Sequence, residues 1–386
     1  MIKIFYWSPH INQQIATTKA VINSAYGLYK YSNKKFSSHI INVFGEWNSF
    51  KDEILSKNVN LINLTNYIFK LPKNGYLNSR FFYIIISLIS IFPLYKLLKK
   101  EKPEYFIIHL ITTPVLILIF FFNFNTKFIL RISGYPKLNF FRKTLWKLSS
   151  KHLYIVFCPT NGSKDILIDK KIFNEDKLFL LEDPIIEIRS LPKLRSEKIN
   201  FSEINSKYIL AAGRLTKQKN FNFLINSFSK LKKVNKILKL VIIGSGEEKC
   251  KLNQLIQKLN MEDRILIYDY KKNIYNYMFN CEFFILTSLW EDPGFVLIES
   301  AANNKLILSN NCLHGPKDFI DNNKNGYLME INNFEQFQQN IDYIVNNYDS
   351  IDIKKKILNA KIKAKNYTIF QHYKKLKTHL FLNIYK

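Results

Sequence analysis

The sequence predicts an α/β protein built from two doubly wound, Rossmann-like halves, and three observations carry that expectation. At 386 residues the chain exceeds what one core usually serves, so two domains are expected. Two stretches far apart, one opening at Ile2 and one at Tyr208, each read as strand, loop and helix, which is how such a half begins. Between them the polar segment from Ile188 to Lys207 is the composition shift of a domain boundary. Apolar residues make up 47% of the chain and aromatics 15%, ample for two cores and against global disorder.

Composition narrows the class further. The four cysteines (Cys158, Cys250, Cys281, Cys312) are far apart and form no C-x-x-C, which argues for reduced thiols in a cytoplasmic protein and against a zinc site. The opening MIKIFY reads as a strand rather than a leader peptide. A formal charge of +27 predicts attraction to anions: nucleotides, nucleic acid or anionic lipid. The lysines are spread along the chain without an arginine-rich segment, so usage bias with membrane-surface attraction is favoured over nucleic-acid binding.

In the first half, Ile2 to Trp7 is the first strand, followed by the loop SPHINQQ and a helix from Ile15 to Tyr29. His10 reads equally as a substrate contact or a solvated loop residue. His39 to Phe44 is the second strand. Residues 81–95 form an uncharged run, apolar on every face. A second stretch, Glu104 to Lys127, has the length of a membrane span but is broken by Thr112-Thr113-Pro114 into YFIIHL and VLILIFFF. A strand, a turn and a buried helix explain the break; a helix lying in a membrane interface beside the basic residues is the competing reading for residues 81–125. His109 ends its strand where ligands collect in open α/β sheets, although a packed, hydrogen-bonded histidine is equally ordinary there. KFILRIS (127–133) is the next strand, GYPKLN its loop, and FFRKTLWKLSSKH a basic amphipathic helix; for Arg131 and this helix, phosphate binding and plain solvation both stand. LYIVFCPT (153–160) and Lys177 to Leu181 complete the strands.

In the second half, Tyr208 to Ala212 is an apolar strand, Gly213-Arg214-Leu215 a turn, and Phe221 to Lys232 a helix. Lys239 to Ile243 is a strand ending in Gly244-Ser245-Gly246, a turn that is weak evidence alone. Ile265 to Tyr268 follows, with Tyr268 or Tyr270 near its end, and then a short helix over Ile274 to Asn280. The stretch EFFILTSLWEDPGFVLIESAANNK (282–305) carries most information. Phe283 to Leu286 is a buried strand, Leu289 to Gly294 a loop, and Phe295 to Asn304 a helix. Such a junction gathers free backbone amides at the positive end of a helix dipole, an anion site. Glu291 and Glu299 bracket it, and carboxylates accept hydrogen bonds from vicinal hydroxyls. Leu306 to Ser309 is a strand, His314 to Asp318 a loop, Asn325-Gly326-Tyr327 a turn, and Phe334 to Lys386 helices.

The order strand, E-x-x-G, apolar run, glutamate, small residues resembles the retaining family 4 (group 1) glycosyltransferases of GT-B fold, in which two Rossmann-like domains face each other across a cleft. The resemblance covers 205–330 well and the first half loosely. It implies Glu291 near the donor sugar, Glu299 on the ribose hydroxyls, and the amides of Gly294, Phe295 and Val296 near sugar and diphosphate. G-R-L-x-x-x-K-N is similar to the family's phosphate loop, which implies Arg214 and Lys219 on the diphosphate, with Gly213 and Gly244 in the donor-binding turns. His109 is implied to face the donor sugar. The sequence departs from the family in three places. The first loop has no glycine, Pro293 stands where an aromatic residue is usual, and Asp318 replaces a glutamate.

The resemblance implies 1–184 as an acceptor-binding domain, 185–366 as the nucleotide-sugar domain and 367–386 as a helix returning to the first. It implies transfer from a UDP- or GDP-sugar with retention, by front-face displacement. The lipid-linked saccharide acceptor would belong to surface-polysaccharide (lipopolysaccharide or capsule) synthesis at the cytoplasmic face of the inner membrane. With no D-x-D loop, no metal or other cofactor is expected, and Arg214, Lys219 and the helix start would stabilise the leaving diphosphate. The alternative is a non-enzymatic basic protein on a degenerate scaffold, against which the intact pairs Arg214/Lys219 and Glu291/Glu299 speak. A phosphorylase-like enzyme would need a lysine-bound pyridoxal phosphate, for which no motif is seen.

Overall fold

The computed structural model describes residues 1–10, 16–65, 76–134, 138–197, 204, 206–231 and 238–381, excepting the side chains of 16, 76–81 and 381. The expected helix start at Ile15, the end of the first loop (11–14), the middle of the GYPKLN loop (135–137), part of the polar boundary segment and the helix end at Lys232 lie outside the described residues. The chain forms two compact units, one of Met1–Ile185 with Ile369–Lys386 and one of Ile186–Thr368.

The N-terminal unit alternates strand and helix: β1 (Ile2–Trp7), α1 (Ala16–Tyr31), β2 (Phe36–Asn42), α2 (Lys51–Ser56), β3 (Asn60–Asn63), α3 (Tyr76–Glu101), β4 (Tyr105–Ile108), α4 (Thr113–Phe121), β5 (Lys127–Arg131), α5 (Phe140–Ser149), β6 (Leu153–Cys158), α6 (Asn161–Asp169) and β7 (Leu178–Leu180). The strands make one sheet ordered β3-β2-β1-β4-β5-β6-β7, and every pair is parallel. Parallel strands covered on both faces are apolar throughout, and β1 illustrates why. Phe5 and Trp7 enter a core with Val115 and Leu116 of α4 and Trp146 of α5. Ile4 and Tyr6 enter the opposite core with Val21 of α1 and Leu376.

The C-terminal unit holds α7 (Leu191–Ser196), β8 (Tyr208–Ala212), α8 (Phe221–Ser229), β9 (Lys239–Ile243), α9 (Lys249–Lys258), β10 (Ile265–Tyr268), α10 (Tyr275–Asn280), β11 (Phe283–Leu286), α11 (Phe295–Ala302), β12 (Leu306–Asn310), α12 (Pro316–Phe319), β13 (Tyr327–Met329), α13 (Phe334–Asn347) and α14 (Ile351–Ala364). Its sheet is ordered β10-β9-β8-β11-β12-β13, again all parallel. A last helix, α15 (Ile369–Phe381), packs on α1 within the N-terminal unit. Among the described residues, side chains cap four helices at their starts, Asn139 on α5, Thr160 on α6, Asn333 on α13 and Ser350 on α14.

The apolar stretches resolve differently from each other. Glu104 to Lys127 becomes β4, a turn and α4, where Pro114 occupies the first helical turn and needs no amide partner. The run 81–95 falls inside the 26-residue α3, with Pro93 inside the helix. α11 stops at Ala302, short of Asn304, because the Asn303 amide closes onto Glu299 and Ser300 and Asn304 turns left-handed (φ 63°).

Candidate active site

Both sheets share the order 3-2-1-4-5-6 and reverse their winding between the first and fourth strands, β1/β4 and β8/β11. Loops leaving the carboxyl ends of those strands part in opposite directions and open a crevice there. In the C-terminal unit the two loops are Gly213–Asn220 and Thr287–Gly294, the stretches that carry the sequence motifs.

These loops are bonded to each other. The Leu289 amide donates to the Gln218 carbonyl (2.9 Å), and the Gln218 side chain donates to the Trp290 carbonyl (2.8 Å). Thr287 Oγ1 donates to the Lys219 carbonyl at 3.2 Å. Lys219 is thereby set in a turn before α8, and its Nζ pairs with Glu291 Oε1 in a short charged hydrogen bond. Ser288 Oγ donates to the same oxygen at 2.6 Å. The pair is nearly closed off, with side chains 10% and 7% exposed, so each charge depends on the other for its solvation.

Glycine brings a third loop against the first of these. A Cβ on Gly244 would stand 1.8 Å from the Gly213 carbonyl oxygen, so the turn after β9 can lie against the turn after β8 only without one. Gly294 has φ 82° and caps α11 with no side-chain acceptor of its own. The amides of Phe295 and Val296, first in α11, have no acceptor within the helix. One and a half turns from the loop, Glu299 is buried and accepts a 2.7 Å hydrogen bond from the Tyr275 hydroxyl of α10. A cation, free amides and a dipole end thus converge between two carboxylates, an arrangement that can hold an anion with hydroxyls attached.

Of the residues expected here, the structure brings together Gly213, Lys219, Gly244, Glu291, Gly294, Phe295, Val296 and Glu299. Arg214 stands apart: it is exposed, and its Nη2 reaches only the Gln218 carbonyl oxygen Oε1, at 3.4 Å. Tyr268 ends β10, and Tyr270 is exposed just beyond it. Among the described residues no group of three or more His, Cys, Asp or Glu side chains is disposed to hold a metal ion.

Sequence reading missed Tyr275, Ser288 and Gly315. A Cβ on Gly315 would meet the Pro293 carbonyl oxygen at 2.5 Å and Glu291 Cβ at 2.9 Å, so this glycine lets the next loop back the Glu291 turn. The His-Gly-Pro punctuation was its signal. Tyr275 had none, because its partner lies across a helix–helix contact.

His109 belongs to the N-terminal unit. It follows β4 and lines a small cavity with Ser24, Arg131, Asp183 and His372. Arg131 is fully buried and donates from Nη2 to Asp183 Oδ1 at 2.6 Å. Burial, with the Arg131 charge behind it, pushes the His109 imidazole well below its usual range. His372 accepts from Ser24 through Nε2 (2.9 Å) and donates from Nδ1 to the Glu182 carbonyl (2.7 Å), and burial lowers it to about 3. At the next loop edge Glu46 is buried and pushed up to about 7 by desolvation, although it accepts from the amides of Val43 and Phe44.

Two doubly wound parallel units of this strand order define the GT-B class of fold. Residues 194–365 match the family described as glycosyl transferases group 1. An uncharacterized glycosyltransferase of Methanocaldococcus jannaschii is 27% identical over 79% of this chain and 76% of its own length. The N-acetylgalactosamine-N,N'-diacetylbacillosaminyl-diphospho-undecaprenol 4-alpha-N-acetylgalactosaminyltransferase of Campylobacter jejuni is 28% identical over 55% of this chain and 58% of its own. The crystal structure of a glycosyltransferase from Rickettsia africae superposes with a TM-score of 0.74 at 18% identity, covering 99% of each chain. The matched region places the C-terminal unit among the group 1 glycosyltransferases, and the whole chain has their GT-B fold.

Proposed function

We propose that this glycosyltransferase moves a sugar from a UDP- or GDP-sugar to a lipid-linked saccharide in surface-polysaccharide synthesis, at the cytoplasmic face of an anionic membrane, with retention of configuration. The observation that carries the reading is the Lys219–Glu291 pair beside the free amides that begin α11. The donor diphosphate lies against the Phe295 and Val296 amides and draws Lys219 and Arg214 onto its oxygens. Glu299, held by Tyr275, accepts from the ribose hydroxyls. Glu291 orients the sugar, and His109 contacts it.

The anomeric C–O bond to the diphosphate breaks as the acceptor oxygen forms its bond on the same face. The acceptor's proton passes to the departing phosphate oxygen. The charge that builds on the diphosphate is met by fixed cations and a dipole, so no metal is required. The acceptor class is supported by the Campylobacter relative, whose name specifies a diphospho-undecaprenol-linked saccharide.

The test is a panel of nucleotide-sugars offered with a polyprenyl-diphosphate saccharide. Product carrying the donor's anomeric configuration, with heat stabilisation by UDP or GDP, is expected. Inversion at the anomeric carbon, or no response to either nucleotide, defeats the reading.

A further inference from the structure

α3, α4 and α5 pack side by side on one face of the N-terminal sheet. They turn a second apolar surface outward. In α3 the residues four apart at Ile86, Ser90, Leu94 and Leu98 are buried, while Ile84, Leu88 and Phe92 on the other side are 60%, 66% and 62% exposed. Phe121 at the end of α4 is 70% exposed, and Phe140 and Phe141 at the start of α5 are 88% and 62% exposed. Single exposed hydrophobics are ordinary, but large ones concentrated on three adjacent helices are not.

The charge around this patch has one sign. From Phe82 to Lys151 the sequence carries eleven Lys and Arg against two acidic residues. Of those two, Glu101 pairs with Lys3 at 3.2 Å and Glu104 accepts from the Lys3 amide at 2.7 Å. Lys96 lays its amine over the Phe92 ring (4.3 Å), so its stem follows the apolar surface while its charge stays at the rim.

We propose that the outward face of α3, α4 and α5 is a docking surface for an anionic lipid bilayer. The aromatic and aliphatic side chains enter the headgroup–acyl boundary, and the lysines meet anionic headgroups. α3 has the length and composition to cross a membrane, but its inner stripe is part of the sheet's core, so it lies along the bilayer. A second copy of the chain on a two-fold axis would set this basic rim against its own image. Nucleic acid would leave Ile84 and Leu88 without apolar partners. The proposal deepens the membrane-surface reading above, and its test uses neither donor nor acceptor, so it fails separately from the catalytic one.

The full chain is sedimented with vesicles of neutral phosphatidylcholine and with vesicles in which about a third of the lipid is phosphatidylglycerol. Binding to the anionic vesicles should be about tenfold tighter or more, and should weaken as salt shortens the Debye length. The exposed double variant Leu88→Glu/Phe121→Glu should keep the parent's thermal midpoint and lose roughly tenfold or more in partitioning. Phe92→Trp should add a component of emission that shifts to the blue on anionic vesicles only. Equal binding by the double variant overturns the proposal, as does an unshifted tryptophan. A dimer in the absence of lipid that the double variant dissolves also overturns it, making the face an interface between copies.

Discussion

The chain carries two nearly sealed ion pairs at the carboxyl edges of its two sheets, Lys219–Glu291 in the C-terminal unit and Arg131–Asp183 in the N-terminal one. They share topology and burial but differ in surroundings. Lys219 offers a single point charge, paired with Glu291, beside the first amides of α11. Arg131 is a fork fixed against Asp183, its Nη1 buried without a protein partner, and the neighbouring His109 and His372 imidazoles are held neutral. A lysine can transfer its charge to an arriving phosphate; a clamped guanidinium holds a place. On the proposed function, one fold uses the same kind of pair once for chemistry and once for architecture.

Two substitutions test that division most severely. Arg131→Leu leaves the Asp183 carboxylate buried without its cation, and should cost about 3–5 kcal/mol of stability. That corresponds to a fall of roughly 10 °C in thermal midpoint, read by calorimetry. Lys219→Met should instead cut glycosyl transfer about a hundredfold or more, since the departing diphosphate loses a fixed cation. Its stability should fall by less than about 2 kcal/mol, because Ser288 still bonds Glu291 at a loop edge. Equal stability losses for the two variants would break the contrast.

The C-terminal unit was largely legible in the sequence, and the two pairs show why. β8, β9, β10 and β11 have the bounds their apolar runs indicated, because each run is short, continuous and ended by polar or glycine punctuation. Lys219 and Glu291 were found because the motifs after two of those strands resemble a known family's loops, and such motifs are local in sequence. Arg131 was noticed only as a strand-end cation, since Asp183 and His372 reach it from 52 and over 200 residues away in sequence. Contacts of that range leave no local period. The same holds for Tyr275 on Glu299, which exists only because α10 and α11 pack together. α3 was ambiguous for a different reason: it is apolar all round, so no stripe marked the side that faces the sheet.

A pH titration sharpens the architectural side at smaller amplitude. His372 and His109 are neutral in the folded chain and bind protons only on unfolding, so below pH 6.5 the unfolded state holds more protons. Their stabilisation is complete above 6.5 and is lost as pH falls, for His372 down to about 3, at about 1.4 kcal/mol per pH unit for each. His372→Gln retains a donor and an acceptor for Glu182 and Ser24, and should flatten the fall in midpoint between pH 6.5 and 5 by one histidine's share. A slope unchanged by this substitution would remove His372 from the sealed network.

The smallest effect tests the catalytic side, where binding and rate come apart. Tyr275→Phe removes the hydroxyl that donates to Glu299 Oε1 and leaves the ring in place. The carboxylate then keeps its burial but loses a charged hydrogen bond worth about 1.5–3 kcal/mol, part of which solvent restores. If Glu299 grips the ribose far from the breaking bond, its contribution is the same in ground and transition states. The donor KM should then rise roughly five- to tenfold with kcat within about twofold. A fall in kcat at unchanged KM would move Glu299 from nucleoside binding to the reacting sugar, and the two carboxylates would have to exchange roles.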